Sequence, residues 1–320
     1  MTASQNSEHD VLSSSITGRE FFISGEELWQ WWQWARQTAI AHDVPLTEVD
    51  WLLQALTHLD KLALRLGSFR QQPQLALAVP PATLKPLWER RVQHRVPVQY
   101  LAGKTSWREF SLQVSPAVLI PRPETELLID LAVREVEARA AGSEERVEAE
   151  HWADVGTGSG AIALGLATVF PAATIHAVDV SGAALAIAQA NAAAYQLTNR
   201  ICFYQGSWLQ PLAQLKGTLD GLVSNPPYIP RQQVWALQPE VVQHEPHLAL
   251  DGGDDGLDWI RHLITVAPEY LRSGGIWIVE MMAGQAAAVA NLLHANGHYT
   301  DIKTGKDLAG IERFAIAHRH

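Results

Sequence analysis

At 320 residues the chain is long enough for about two domains and a sizeable core. Its net charge of −10 excludes broad binding to nucleic-acid backbones, which takes a basic surface, although a local basic groove stays open. A single cysteine, Cys202, excludes a disulfide framework within the chain and suits a reducing cytoplasm.

Residues 1–24 are polar and serine-rich. They lack the apolar segment of a secretory signal and read as a flexible extension. At Ser24-Gly25-Glu26-Glu27 the pattern resembles a capped helix start, and Leu28, Trp31, Trp32, Ala35 and Ala39 follow at helical spacing. The tryptophans at 29, 31, 32 and 34 form a helical stripe, which reads as core rather than as a ligand-stacking surface. Further helices are expected over 46–56, 60–65 and, after the Pro80-Pro81 break, 82–94. Residues 25–95 therefore read as a small all-helical domain without a catalytic constellation. Residues 96–120 change character: 98–103 and 110–114 alternate apolar and polar around a turn and are expected to form a linking β-hairpin. The string Ile120-Pro121-Arg122-Pro123-Glu124-Thr125-Glu126 then leads into a helix over 127–141, and a charged linker over 142–150 follows. No apolar run reaches the length that spans a bilayer, so no membrane association is expected.

From about 150 onward strands and helices alternate, which implies a parallel sheet with helices on both faces. Strands are expected near 151–155, 174–179, 200–204, 219–224, 275–281, 298–303 and 312–318, and helices near 160–169, 182–195, 256–272 and 284–296. No long helix separates the last two strands, so one of them should run antiparallel. The fold class is α/β: a doubly wound, mostly parallel seven-stranded sheet spanning 121–320, preceded by the helical domain. Cys202 lies in the strand-like run 201–204 and is expected to pack as a small apolar residue.

Two strand-end loops carry the chemistry. Asp154-Val155-Gly156-Thr157-Gly158-Ser159-Gly160-Ala161 follows a strand and opens a helix; its glycines permit a tight turn and close approach of a ligand. Asp179 ends the next strand, about 20 residues on, where a carboxylate can take ribose hydroxyls. Gly156, Gly158 and Ala161 also satisfy a dinucleotide pattern, so this loop alone does not separate NAD from another nucleoside cofactor. Asp154 is expected at the mouth of its strand, suited to a cationic amino acid moiety, and Trp208 could flank an adenine ring. Ser224-Asn225-Pro226-Pro227-Tyr228 follows the fourth strand. The two prolines stiffen the turn and donate no hydrogen bonds there. Asn225 adds a side-chain acceptor and Tyr228 a flat aromatic face, a combination suited to a planar group carrying –NH₂.

With Gln99-Tyr100 and Gly103, the Pro121–Glu126 string, Asp154 through Gly160, Ser207-Trp208, Ser224 through Tyr228, Glu245-Pro246 and Leu250-Asp251-Gly252-Gly253, the chain resembles the class I S-adenosylmethionine-dependent methyltransferases. Within them it is similar to the peptide chain release factor glutamine methyltransferases. The resemblance runs from about residue 25 to the end, and the Pro-Arg-Pro-Glu-Thr-Glu string is its most discriminating part. It implies S-adenosyl-L-methionine as cofactor, held by Asp154, Gly156, Thr157, Gly158, Ser159, Gly160, Asp179 and Trp208, with Asn225 beside it. It also implies Asn225, Pro226, Pro227 and Tyr228 as the catalytic grip on the substrate glutamine, in the Gly-Gly-Gln motif of release factors. A monomer that acts in the cytoplasm without direct nucleic-acid contact is the matching expectation. One departure stands out, because Glu280 is followed by Met281-Met282-Ala283 where the family soon has a glycine.

Competing readings share the same pocket. A methyltransferase for the exocyclic amine of adenine would need to capture a flipped base, and a sister enzyme for a ribosomal protein's glutamine shares Asn-Pro-Pro-Tyr. A non-catalytic module docking on translation factors through 25–95 is a third. His244-Glu245-Pro246-His247 lacks the two-residue gap of a zinc-protease helix and is not expected to hold metal.

Overall fold

The computed structural model describes residues 20–141 and 151–320. Residues 1–19 of the expected extension and the expected charged linker over 142–150 lie outside them. The chain divides into two compact units between Ala102 and Gly103.

The first unit is mostly helical. Its opening helix, Gly25–Ala41, has a full capping box: the Ser24 hydroxyl accepts from Glu27 N–H while Glu27 accepts from Ser24. Helices Leu46–Leu56, Lys61–Leu66 and Leu84–His94 follow. Trp32 and Trp88 are buried, and Trp29 packs on Trp32 at 4.9 Å, so the tryptophan stripe is packing surface. Two expectations need correction. The unit is not all-helical: Phe21–Ile23 pairs antiparallel with Leu75–Leu77, which places part of the expected extension in a small sheet. Residues 98–102 form a helix rather than a strand. Pro97 starts it, with its carbonyl accepting from Tyr100 and Leu101 N–H, and Val98, Tyr100, Leu101 and Ala102 are all buried. The hairpin exists but begins later, as Lys104–Trp107 paired with Phe110–Gln113.

In the second unit the seven strands are β1 (His151–Val155), β2 (Thr174–Asp179), β3 (Ile201–Gln205), β4 (Leu219–Ser224), β5 (Leu271–Glu280), β6 (Tyr299–Lys306) and β7 (Glu312–Arg319). They lie in the order β6-β7-β5-β4-β1-β2-β3. Strands β1 to β5 pair in parallel, whereas β7 runs antiparallel to both β5 and β6. The longer helices are α1 (Leu127–Ala141), α2 (Ala161–Val169), α3 (Gly182–Ala194), α4 (Asp258–Val266) and α5 (Ala286–Asn296). The alternation of side chains along each strand builds two cores. Trp152, Val223, Ile276, Ile278 and Phe314 face α1, α2 and the hairpin, while Ala153, Leu222, Trp277, Val279 and Ala315 face α4 and α5. Both faces are covered, which is why these strands read as continuous apolar runs.

Two details differ from the sequence reading. The helix expected over 256–272 ends at Val266, where Pro268 forces a short 3₁₀ turn, and β5 already starts at Leu271. Cys202 is exposed rather than packed, because β3 is the sheet's edge strand and this position faces outward.

The strand order fixes where a ligand can bind. From β1 the chain builds outward through β2 and β3, then returns to the other side of β1 with β4. The loops after β1 and β4 therefore diverge at a topological switch point, leaving a crevice at the carboxyl ends of the strands.

Candidate functional site

A cavity of about 280 Å³ occupies that crevice. Gly156, Thr157, Gly158 and Ser159 form one wall, Asp179 and Trp208 another, and Asn225 and Pro227 stand on its walls as well. The two loops singled out in the sequence thus open into one space.

The glycine loop is shaped to leave room. Gly156 and Gly158 have φ of +80° and +54°, and a Cβ on either would meet nothing within 4 Å. Any side chain there would stand in the cavity, so the backbone forms a cradle. Gly160 differs: its Cβ would crowd Ala188 at 3.1 Å, so this glycine serves α2–α3 packing and stands off the wall. Asp179 fixes the loop from β2, its carboxylate accepting from Gly158 N–H at 2.9 Å and from Ser181 N–H at 2.9 Å. Each of its oxygens keeps further acceptor capacity toward the cavity.

Asp154 is not at the mouth of the strand as expected. It is fully buried and off the cavity wall. Its Oδ2 accepts from the Thr157 hydroxyl at 2.5 Å and from Ala163 N–H at 2.9 Å, tying the loop to the first turn of α2. The other oxygen, Oδ1, is buried without a hydrogen-bond partner. Burial pushes the carboxyl up to about 7. Asp154 holds the cradle from beneath and does not meet a ligand directly.

The β4 loop is likewise split. Tyr228 lies off the cavity wall and does not offer the open aromatic face the sequence suggested, and Pro226, beside Asn225, is buried. The reason for Tyr228 is its hydroxyl, which donates to Glu280 Oε1 at 3.0 Å. Burial, with the adjacent Glu280, raises this phenol well above its ordinary range. The loop is braced on several sides. Ile229 N–H donates to Leu250 O, and Gly252 N–H donates to Ile229 O. A Cβ on Gly252 would stand 2.8 Å from Pro227 O. Gln285 Nε2 donates to Tyr228 O at 3.1 Å. The Met281-Met282-Ala283 departure feeds this brace: Met281 is fully buried, and Met282 N–H donates to Gln285 Oε1 at 2.9 Å.

Two residues without a role in the sequence reading complete the site. Thr125, in the Pro-Arg-Pro-Glu-Thr-Glu string, stands on the cavity wall and its hydroxyl donates to Glu280 Oε2 at 2.7 Å. Asn225 Nδ2 donates to the same hydroxyl at 3.2 Å. Elsewhere in the string Arg122 pairs with buried Glu245 at 2.8 Å, and Glu126 Oε1 accepts from Arg108 N–H at 2.9 Å. Pro121 and Pro246 also line the cavity. The only advance signal was the string itself, since the partners of Thr125 and Arg122 lie 100 or more residues away. Among the described residues no group of three His, Cys, Asp or Glu side chains could hold a metal ion.

Glu280 gives a pH prediction. Burial, with a smaller push from Glu124, raises its carboxyl to about 7 from an ordinary 4.5, against the opposing hydrogen bonds from Thr125 and Tyr228. The folded state then keeps a proton that the unfolded chain releases, so stability falls as pH rises from about 4.5 to about 7. A shift of that size corresponds to about 3 kcal/mol. Urea denaturation across this window is expected to show a shallower pH slope for Glu280→Gln than for the wild type, and equal slopes would contradict the assignment.

A doubly wound, mostly parallel sheet with its ligand cavity at the β1/β4 switch defines an α/β methyltransferase, and a family model described as "Methyltransferase small domain" matches residues 142–254. The release factor glutamine methyltransferase of Synechocystis sp. is 53% identical over 296 residues, covering 92% of this chain and 97% of that protein. The release factor glutamine methyltransferase of Thermosynechococcus vestitus is 47% identical over 297 residues, covering 92% and 99%. The chain belongs to the release factor glutamine methyltransferase family. Among solved structures the hMettl16 catalytic domain superposes with a TM-score of 0.51 at 13% identity, covering 74% of this chain and 80% of that one, a likeness of fold alone. No described helix is long and apolar enough to cross a membrane.

Proposed function

We propose that the protein transfers a methyl group from S-adenosyl-L-methionine to the side-chain amide nitrogen of the glutamine in the Gly-Gly-Gln motif of peptide chain release factors, acting as a cytoplasmic monomer. The carrying observation is the shared cavity: a glycine cradle with the Asp179 carboxylate opens into the same space as the Asn225 amide. The residues present suit the cofactor. The cradle leaves the volume that a Cβ would fill, and Asp179 keeps acceptor capacity for ribose hydroxyls. Trp208, with Trp259 at 5.2 Å, supplies an aromatic wall for a base. When bound, S-adenosylmethionine supplies an electrophilic methyl on sulfur.

An amide nitrogen is a poor nucleophile because its lone pair is shared with the carbonyl, as the rotation barrier of about 18–20 kcal/mol in peptides attests. The Asn225 side-chain oxygen and the Pro226 carbonyl would accept the two –NH₂ hydrogens of the substrate. They would thereby draw density onto nitrogen and hold it in one orientation. Positioning of this kind can lower a barrier by roughly 7–11 kcal/mol. The methylated nitrogen is acidic enough to lose its proton to water, so no strong base is needed. Residues 25–95 are assigned to docking the release factor.

The test is transfer of a labelled methyl group to a purified release factor. The same factor with the Gly-Gly-Gln glutamine changed to alanine, and adenine-rich DNA, serve as controls. Label on the intact factor only is the expected outcome; label on DNA would transfer the case to an adenine methyltransferase. Asp179→Ala is expected to weaken cofactor binding by about tenfold to a hundredfold, the worth of one charge-assisted hydrogen bond or slightly more. Unchanged affinity by calorimetry would remove Asp179 from the cofactor site.

A further inference from the structure

We infer that Thr125 is a positioning residue that fixes which way round the Asn225 amide stands, through a one-directional hydrogen-bond chain that starts at Glu280. The inference rests on the glutamine methyltransferase reading and adds to it how the acceptor is kept an acceptor. An asparagine side chain is nearly symmetric in shape, but only one of its two ends can accept from a substrate –NH₂. With the amide reversed, donor would face donor and the pocket would repel the group it has to hold. Nothing in the steric shape of Asn225 prevents that reversal, so the choice has to come from its hydrogen-bond partners.

The polarity is set at the far end of the chain. Above about pH 7 Glu280 is ionised and an acceptor only, and two hydroxyls reach it: Thr125 at Oε2, 2.7 Å, and Tyr228 at Oε1, 3.0 Å. Thr125 has one hydroxyl hydrogen, and the carboxylate takes it. Toward Asn225 the Thr125 oxygen can then only accept, so the end of the amide that meets it at 3.2 Å has to be Nδ2. Oδ1 is thereby turned away from Thr125. Thr125 and Asn225 both stand on the cavity wall, Thr125 and Glu280 are 4% and 2% exposed, and the relay therefore works with little water to scramble its direction. Tyr228 shares the same anchor, which couples the last residue of the Asn-Pro-Pro-Tyr turn to the first side chain that uses it.

Thr125→Val removes the acceptor while keeping the branched shape, and Thr125→Ser restores it. For Thr125→Val kcat is expected to fall about a hundredfold, the loss that follows when a reacting group is misoriented. The KM for cofactor and for release factor should stay within about threefold. Thr125→Ser should return kcat to within about threefold of the wild type, which a purely structural role for the methyl group would not do. Should the valine variant fail to fold, Thr125→Ala carries the same test. Wild-type kcat in a folded valine or alanine variant, or no rescue by serine, would overturn the inference. A second readout needs no substrate: the Asn225 side-chain NH₂ pair, followed by NMR, should be slow to exchange with solvent in the wild type and in Thr125→Ser and fast in Thr125→Val. Equal exchange in all three would also overturn it. A wild-type enzyme that failed to methylate release factors would instead refute the substrate assignment and leave the NMR comparison standing as the test of the relay.

Discussion

Asn225→Ala is expected to lower kcat by about a thousandfold while S-adenosylmethionine affinity changes by no more than about twofold. The asymmetry follows from where the side chain sits. Asn225 lies on the cavity wall and its amide bonds to Thr125. The cradle of Gly156 and Gly158 is fixed independently, by Asp179 and by backbone bonds to Val178 O. Removal of a single preorganised polar group that acts on the reacting centre costs about 10²–10³ in kcat in comparable sites, and here the lost acceptor also orients the nucleophile. Single-turnover methyl transfer gives the rate and calorimetry gives the cofactor affinity. Parallel loss of both would mean that Asn225 serves the cofactor and not the substrate.

Gly158→Val should have the complementary effect, weakening cofactor binding by more than a hundredfold. At φ +54° a β-branched residue is strained by about 1–2 kcal/mol, and its side chain would enter the cavity, where a Cβ meets nothing within 4 Å. The same strain disturbs the N–H that Gly158 donates to Asp179. Gly160→Ala is the informative control, because the added Cβ would press on Ala188 and Leu164 rather than enter the cavity. It should lower Tm more than it lowers affinity. Equal affinity losses in the two variants would show that the loop acts as a packing element throughout.

The central sheet was readable because its inner parallel strands are buried on both faces and most of the parallel strands are punctuated by glycine, aspartate or proline at the carboxyl end. The β4 strand, with all six residues buried and Asn225-Pro226-Pro227 after it, is the clearest case. Residues 98–102 misled because Val98, Tyr100 and Ala102 alternate with Gln99 like a strand; Pro97 and the burial of Leu101 on the same helical side decided otherwise. In the site, local chemistry was legible and partnership was not. The glycine loop and Asn225 announced themselves by residue type, whereas Thr125 and Glu280 are ordinary residues separated by 155 positions, made into a pair only by the placement of the Pro-Arg-Pro-Glu-Thr-Glu string against the end of β5. Asp154 and Tyr228 carried the right chemical groups but point them inward, at Thr157 and Glu280. A sequence does not reveal which face of a loop its side chains take.

The outward-facing thiol on the edge strand offers experimental access. Twelve tryptophans would blend any intrinsic fluorescence change at Trp208 into an average. Cys202 is the chain's only cysteine, exposed on β3 three residues before Gln205 ends the strand, which puts it roughly 10 Å from the cavity end of the sheet. One maleimide dye or spin label would attach there without any engineered substitution. Paired with a second probe on a release factor, it would make the arrival of the Gly-Gly-Gln loop a distance that can be timed, separately from the methyl transfer that follows.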